Sequence, residues 1–382
     1  MPRVLICYLV NRSGHHSAAL AVERAILAAD STAETRCINL LEYCHPRWEK
    51  VIQKTYLTTI RTTPELWDAL YDSVWVERLT RHIRRLAQRG TSKSLMRLMN
   101  EFQPETVVCT QAHPLAVLAA YSARHCLNVP LWGVVTDFVP HRFWVVNGGN
   151  INYVVPTESA ADRLMWLGVP ADRIHVLGIP VSVSPAAGTS ESSERNGHRV
   201  LVMGGSRGLG VRYRTVVKLD QSRADFTIDV ICGTNNRIRE KLLRNRRRFH
   251  HALRVRGYVH DAVSIMRRAS LLITKPGGLT SAEAMALGLP MLLVRPLPGQ
   301  ERNNARVMVQ HGAALHLERE DDVPVVVTTL LNNPALLLKM RARARALGRP
   351  DAAARIAAAV LNNVKNRPAQ WSPMLTTVSL AP

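Results

Sequence analysis

Short apolar runs recur along the chain, each followed by a polar or glycine-containing turn and then by a stretch with helical spacing. The runs are VLICYLV (4–10), TVVCT (106–110), LWGVVTD (131–137), INYVVP (151–156), VLVMGG (200–205), TIDVICG (227–233), LLITK (271–275) and PMLLV (290–294). Runs this short and continuous predict strands, and their alternation with helices predicts parallel sheets joined by crossover helices. The single long stretch rich in Ser, Gly and small polar residues, SPAAGTSESSERNGH, reads as a linker over 184–198. It divides the chain into one α/β domain (1–183), a second α/β domain (199–350), a helix over 351–366 and a loosely ordered tail (367–382). No repeat period is visible, which excludes a solenoid. The expected fold class is α/β, with two tandem Rossmann-like doubly wound domains facing a cleft. A ligand of such a pair lies in the cleft, at the carboxyl ends of the strands.

The loops that leave those strands carry the chemistry. The first strand runs into NRSGHH, which places His15 and His16 at the start of a helix. The positive end of a helix disfavours a protonated imidazole, so a histidine there is expected to be neutral. One of the pair could then serve as a general base while the other hydrogen-bonds the loop. The second domain opens with VLVMGGSRGLG, where Gly204, Gly205, Ser206 and Gly208 let backbone N–H groups approach a diphosphate. In TKPGGLTSAEAMALG, Gly277 and Gly278 break the strand and permit close approach to a ligand. Thr280 and Glu283 lie three apart on one helix face, where a carboxylate either accepts both hydroxyls of a ribose or stabilises the first turn. PLPGQERNN follows the next strand and offers Gln300, Glu301 and Asn304. A phosphate cradle, a ribose acid and a hydroxyl-reading loop together suggest a nucleotide sugar.

Charge changes the picture on one point. The 382 residues carry a formal net charge of +21, against an otherwise ordinary globular composition of 47% hydrophobic and 21% charged residues. Such a balance implies an anionic partner. Aromatics make up only 5%, and no aromatic-rich strand alternates with basic residues, which argues against single-strand nucleic-acid binding. The six cysteines form no CxxC pair, so neither a structural zinc site nor a disulfide framework is expected. Residues 47–93 contain Trp67 and Trp75 and end in RLTRHIRRLAQRGTSK, with six Lys or Arg and no acid. Leu79, Ile83 and Leu86 keep helical spacing there, while Arg81, Arg84, Arg85 and Arg89 lie mostly on other faces. Basic residues with interfacial tryptophans describe a segment lying in the plane of a membrane surface. No leader peptide or spanning segment is expected.

The blocks GHHSAALA, VVTDFVPHRFW, NYVVPTESAADRLMWLGVPADRIHVLGIPV, VICGTNNRIREKL and GYVHDAVSIMRRASLLITKPGGLTSAEAMALGLPMLLVRPLPGQERNN occur in this order over most of the chain. They resemble glycosyltransferase family 28, of GT-B fold, and within it the monogalactosyldiacylglycerol synthases and bacterial processive diacylglycerol glycosyltransferases. The resemblance implies an inverting transfer of a hexose from a UDP-sugar to diacylglycerol, with no metal and no cofactor beyond the donor substrate. By position, Gly204, Gly205 and Gly208 would hold the diphosphate and the backbone at Tyr258 and Val259 would face the uracil. Thr280 would sit near the phosphates, Glu283 on the ribose, and Gln300 and Glu301 on the sugar. His15 falls on the position of the family's base; Gly14, His16, Asp137, His141 and Trp144 fall on its acceptor side. The chain departs from the family at the first loop, with Arg12 and Ser13 where the family is richer in glycine.

The expected partners are a UDP-sugar, diacylglycerol or a related lipid and an anionic membrane surface, with no nucleic acid. The expected location is cytoplasmic, peripheral on the inner face of the cell membrane. The hexose stays open among glucose, galactose and glucuronate. Alternatives on the same architecture are a lipid-II-type N-acetylglucosaminyltransferase and a UDP-sugar 2-epimerase; a basic nucleic-acid-binding protein is the remote one. The aromatic and basic segment at 47–93 argues against the epimerase, and the ligand-type loops at three strand ends against the nucleic-acid reading.

Overall fold

In the computed structural model the described residues are 1–43, 93–146, 148, 150–183, 197–297 and 299–366. They form two six-stranded sheets. The first holds β1 (Arg3–Tyr8), β2 (Glu34–Asn39), β3 (Thr106–Cys109), β4 (Leu131–Val134), β5 (Ile151–Val155) and β6 (Ile174–Val176), in the order β2-β1-β3-β4-β5-β6. The second holds β7 (His198–Met203), β8 (Phe226–Ile231), β9 (Leu253–Arg256), β10 (Leu271–Thr274), β11 (Met291–Val294) and β12 (Ala314–Leu317), in the order β12-β11-β10-β7-β8-β9. Every neighbouring pair is parallel. This is the expected fold class, two doubly wound halves.

The eight apolar runs of the sequence are the eight interior strands. Side chains of an interior strand point alternately to two covered faces, so both sets must be apolar. In β1, Leu5 and Cys7 enter one core and Val4, Ile6 and Tyr8 the other. In β7, Leu201 and Met203 are divided in the same way from Val200 and Val202. The four strands with no such run are β2, β6, β9 and β12, the sheet edges. Their sequences ETRCIN, IHV, LRVR and ALHL are polar where the strand is half covered.

The first half carries α1 (Gly14–Ala29), α2 (Lys93–Phe102), α3 (Ala112–Arg124) and α4 (Glu158–Trp166). The second carries α5 (Tyr213–Leu219), α6 (Asn236–Arg244), α7 (Ala262–Met266), α8 (Gly278–Leu287), α9 (Gln300–Gln310), α10 (Val323–Leu331) and α11 (Pro334–Leu347). The last helix, α12 (Ala352–Lys365), returns to the first half. Its Ile356, Ala357, Val360 and Leu361 complete the core formed by Val4, Ile6, Ala19, Val22 and Ile26. The helix expected over 351–366 is therefore a strap between the halves. Among the described residues no single helix is long and apolar enough to cross a membrane. Trp67, Trp75, Arg81, Arg84, Arg85 and Arg89, most of the linker and the tail lie outside the described residues.

Ile356 is fully buried in the strap. Ile356→Ala is expected to cost about 2–5 kcal/mol of stability, the range for deleting a large buried aliphatic side chain. Denaturant unfolding measures it, and an unchanged midpoint would contradict the packing of α12 on the first half.

Candidate functional site

The two halves meet at the carboxyl ends of their central strands. The chain leaving β4 passes through Thr136, Asp137 and Phe138 and touches the loops leaving β10 and β11. Asn304, in the second turn of α9 and fully buried, joins them. Its Oδ1 accepts from the Phe138 amide at 2.9 Å, and its Nδ2 donates to Asp137 Oδ1 at 3.1 Å and to the Pro276 carbonyl at 3.2 Å. Gly278, at the start of α8, packs directly on the first half. A Cβ there would lie 1.8 Å from the Thr136 carbonyl oxygen. Closure removes water from the groups at this junction. Desolvation pushes the Asp137 carboxyl up to about 6; Asn304 opposes that shift, and the Glu301 charge adds to it.

His15 stands on the first-half side. Ser13 caps α1, its Oγ accepting from the His16 amide at 3.2 Å, and this fixes the turn that carries both histidines. His15 Nδ1 lies 3.0 Å from the Thr110 carbonyl and 2.8 Å from Thr136 Oγ1. A carbonyl can only accept, so Nδ1 carries the proton and Nε2 is the basic nitrogen. Burial lowers the imidazole to about 4, with the Thr110 hydrogen bond pulling the other way, so the ring is neutral at physiological pH. The helix start was expected to keep it neutral; burial acts in the same direction. His16 takes the other role open to the pair. It stacks on Tyr8 with centroids 4.3 Å apart, and its Nδ1 accepts from the Arg12 amide at 3.2 Å.

On the second-half side, the glycine loop after β7 folds tightly against the end of β8. Gly208 has φ +63°, and a Cβ there would meet the Cys232 carbonyl at 1.9 Å. Lys275, at the end of β10, runs beneath this loop, its side chain within 3.2 Å of where a Cβ on Gly210 would stand. Lys275 Nζ donates to Glu301 Oε1, and Glu301 Oε2 accepts from the Leu297 amide at 3.0 Å. Glu283 is half-buried in the second turn of α8, one turn further in than expected. Its carboxyl has no hydrogen bond or ion pair with the described residues, and desolvation, helped by the Asp261 charge, pushes it up to about 7. Glu283 therefore stands past the first-turn amides that the helix offers to an acid.

Several expectations change. Asn304 is spent on the domain junction, with both amide ends engaged by protein atoms, rather than presented to a donor. Trp144 is 1% exposed and belongs to the first-half core rather than to an acceptor surface. The close approach that requires glycine at 278 is to the Thr136 carbonyl of the other domain. Gly277 helps to open α8 as its N-cap. Gln300 and Glu301 begin α9 rather than lying in a loop. Gly14 is exposed, His141 half-buried, and Tyr258, Val259 and Thr280 half-buried, the last on the Glu283 face. Sequence reasoning passed over Lys275, Thr110 and Thr136. A lysine ending an otherwise apolar strand beside a double glycine was the available signal for the first. Among the described residues no group of three or more His, Cys, Asp or Glu could hold a metal ion.

Residues 15–181 match the family described as monogalactosyldiacylglycerol (MGDG) synthase, and residues 199–356 match the glycosyltransferase family 28 C-terminal domain. Curated relatives include a processive diacylglycerol beta-glucosyltransferase of Bacillus cereus, 28% identical over 368 residues, 94% of this chain and 93% of that protein. The protein of the same name in Bacillus cytotoxicus is 27% identical over the same shares. Among solved structures, Acinetobacter baumannii MurG superimposes with a TM-score of 0.60 at 16% identity, covering 94% of this chain and 100% of that one. The UDP-GlcNAc 2-epimerase of Neisseria meningitidis bound to UDP-GlcNAc gives 0.59 at 16% identity with the same coverage. These likenesses establish the GT-B fold.

The two adjacent glycines predict opposite tolerances. Gly278→Ala forces overlap with Thr136 and is expected to cost about 1–3 kcal/mol, as overpacking does, or to part the halves. At Gly277 a Cβ would meet only Lys275 Nζ, at 3.8 Å, so Gly277→Ala should keep the wild-type Tm. Thermal unfolding and small-angle scattering of the two variants check this; equal behaviour would contradict the junction.

Proposed function

We propose that this chain, whose first half belongs to the monogalactosyldiacylglycerol synthase family and whose second half is a glycosyltransferase family 28 C-terminal domain, moves a hexose from a UDP-sugar to the hydroxyl of diacylglycerol. The observation that carries this reading is the pairing across one junction of a neutral, desolvated imidazole from the first half with a free carboxyl and a lysine beneath a glycine loop from the second. The names of the curated relatives support the lipid acceptor. The UDP-glucose complex of Anabaena Alr3699/HepE, at a TM-score of 0.55 and 11% identity, shares the fold.

In the proposed reaction, His15 Nε2 takes the proton of the acceptor hydroxyl as its oxygen attacks the anomeric carbon. The bond from that carbon to the UDP oxygen breaks on the opposite face, and UDP leaves as the anion. The glycine loop N–H groups, the start of α8 and the Lys275 ammonium meet the charge that develops on the diphosphate. Glu301 aims Lys275, and with Gln300 it faces the hexose. Glu283 accepts the ribose hydroxyls, and the backbone at Tyr258 and Val259 faces the uracil. No resident cofactor enters this scheme, and protein cations neutralise the diphosphate. We place the enzyme at the cytoplasmic membrane surface, drawn to anionic lipid by its excess of basic residues.

The test is to incubate the protein with diacylglycerol in anionic liposomes and, separately, UDP-glucose, UDP-galactose, UDP-glucuronate and UDP-N-acetylglucosamine. A glycosylated diacylglycerol is expected from one donor, falling about 10²–10⁴-fold in His15→Ala, the usual contribution of a general base. UDP release without a lipid product would remove diacylglycerol as acceptor, and turnover of no donor would overturn the reading.

Glu283 predicts a pH dependence. Its carboxyl is raised to about 7, and ribose hydroxyls donate to the ionised form. Donor kcat/KM should therefore fall as pH drops through about 7. His15, at about 4, contributes nothing there. Glu283→Gln should lose this limb and weaken the donor by about ten- to a hundred-fold, the range for hydrogen bonds to a charged group. A limb that survives in the variant would assign it elsewhere, with Asp137 next in line.

A further inference from the structure

Arg12, in the first loop, reaches the second half with its side chain, and the reaction scheme gives it no part. Its backbone has φ +53°, in the left-handed region that favours glycine. A non-glycine residue stays there only when its surroundings over-determine it. Three contacts do so. Its amide donates to His16 Nδ1 at 3.2 Å, its carbonyl accepts from Ser206 Oγ, and its guanidinium lies 5.4 Å from the centroid of the Tyr258 ring. The first contact belongs to the loop itself; the other two cross to the second half. Ser206 sits in the glycine loop, and Tyr258 belongs to the backbone assigned to the uracil. Arg12 thus bridges the two ends of the donor site from the opposite domain.

The charges there are unbalanced in a way that points to an anion. Lys275, the cation beneath the glycine loop, is paired with Glu301. Arg12 has no carboxylate within ion-pair distance among the described residues, and an aromatic face is its only side-chain partner among them. A guanidinium presents a planar fork of donors that fits a phosphate oxygen pair better than an ammonium does. Sliding from the Tyr258 ring towards the neighbouring glycine loop would bring it to a diphosphate held there.

We propose that Arg12 is a donor clamp lent by the acceptor-side half, whose guanidinium pairs with the diphosphate of the nucleoside diphosphate sugar. This rests on the donor reading above. It also gives the loop a coupling role. Arg12 and His15 share one turn, ordered through Ser13 and His16, so a donor that holds Arg12 also holds the base in register with the anomeric carbon.

The test compares UDP with uridine by calorimetry, on wild type, Arg12→Lys and Arg12→Gly. Glycine removes the charge and relieves the backbone; lysine keeps both charge and strain, so folding and recognition separate. UDP should bind about ten-fold more weakly to Arg12→Gly, the order of one charge-assisted contact, with Arg12→Lys in between. Uridine should bind all three alike, and Arg12→Gly should keep the wild-type Tm. UDP binding unchanged in Arg12→Gly overturns the clamp and leaves the donor site standing. Equal losses of UDP and uridine would make the arginine a support for the base rather than for phosphate, and would also overturn it. A wild type that binds neither overturns the donor reading, and the clamp with it.

Discussion

The structure turns on one contact, the seating of Gly278 on the Thr136 carbonyl with Asn304 closing the polar groups around it. Backbone amides and carbonyls at the ends of two sheets cannot be buried unpaired without losing the full desolvation cost of each group. A single asparagine satisfies the Phe138 amide, the Pro276 carbonyl and one Asp137 oxygen. The α12 strap acts in the same direction from the far side, since its apolar face is part of the first-half core while its chain belongs to the second. Closure is therefore specified by polar satisfaction at one place and by hydrophobic burial at another.

The electrostatics of the site follow from that closure. Loss of water is the largest cause in each case, pushing His15 down to about 4, Asp137 up to about 6 and Glu283 up to about 7, with the Glu301 and Asp261 charges adding to the last two. All three shifts favour the neutral form. The consequences differ with the chemistry of each group. A neutral imidazole held by a carbonyl has one free basic nitrogen. A carboxyl near 7 ionises readily once hydroxyl donors arrive. Lys275 and Glu301 form an ion pair, and their charges act on Asp137 in opposite directions.

Much of this was legible in the sequence, and the rest was hidden for identifiable reasons. Interior strands announce themselves because both faces must be apolar. The edge strands β2, β6, β9 and β12 did not, because half of each lies open to polar neighbours and their residues read as loop. Glu283, His15 and the glycine loop stood out because polar or glycine residues that follow an apolar run lie near the carboxyl end of a strand. Asn304 and Gly278 were found for the wrong reason. Their spacing matched a ligand loop, but what they approach is another part of the chain, and contacts so remote in sequence leave no local pattern. Arg12 was noticed only as a departure from glycine; its positive φ shows why glycine would be at ease there.

In the reaction we propose, a base from one half and a leaving-group cradle from the other face the anomeric carbon from opposite sides. A single displacement of that kind inverts the carbon. The most direct measurement is the anomeric configuration of the sugar in the product, read by proton NMR from the H1–H2 coupling. An α-linked UDP-hexose should give a β-linked glycolipid, with the large coupling of two axial protons. An α-linked product would mean retention, and would contradict the arrangement of His15 opposite the diphosphate cradle.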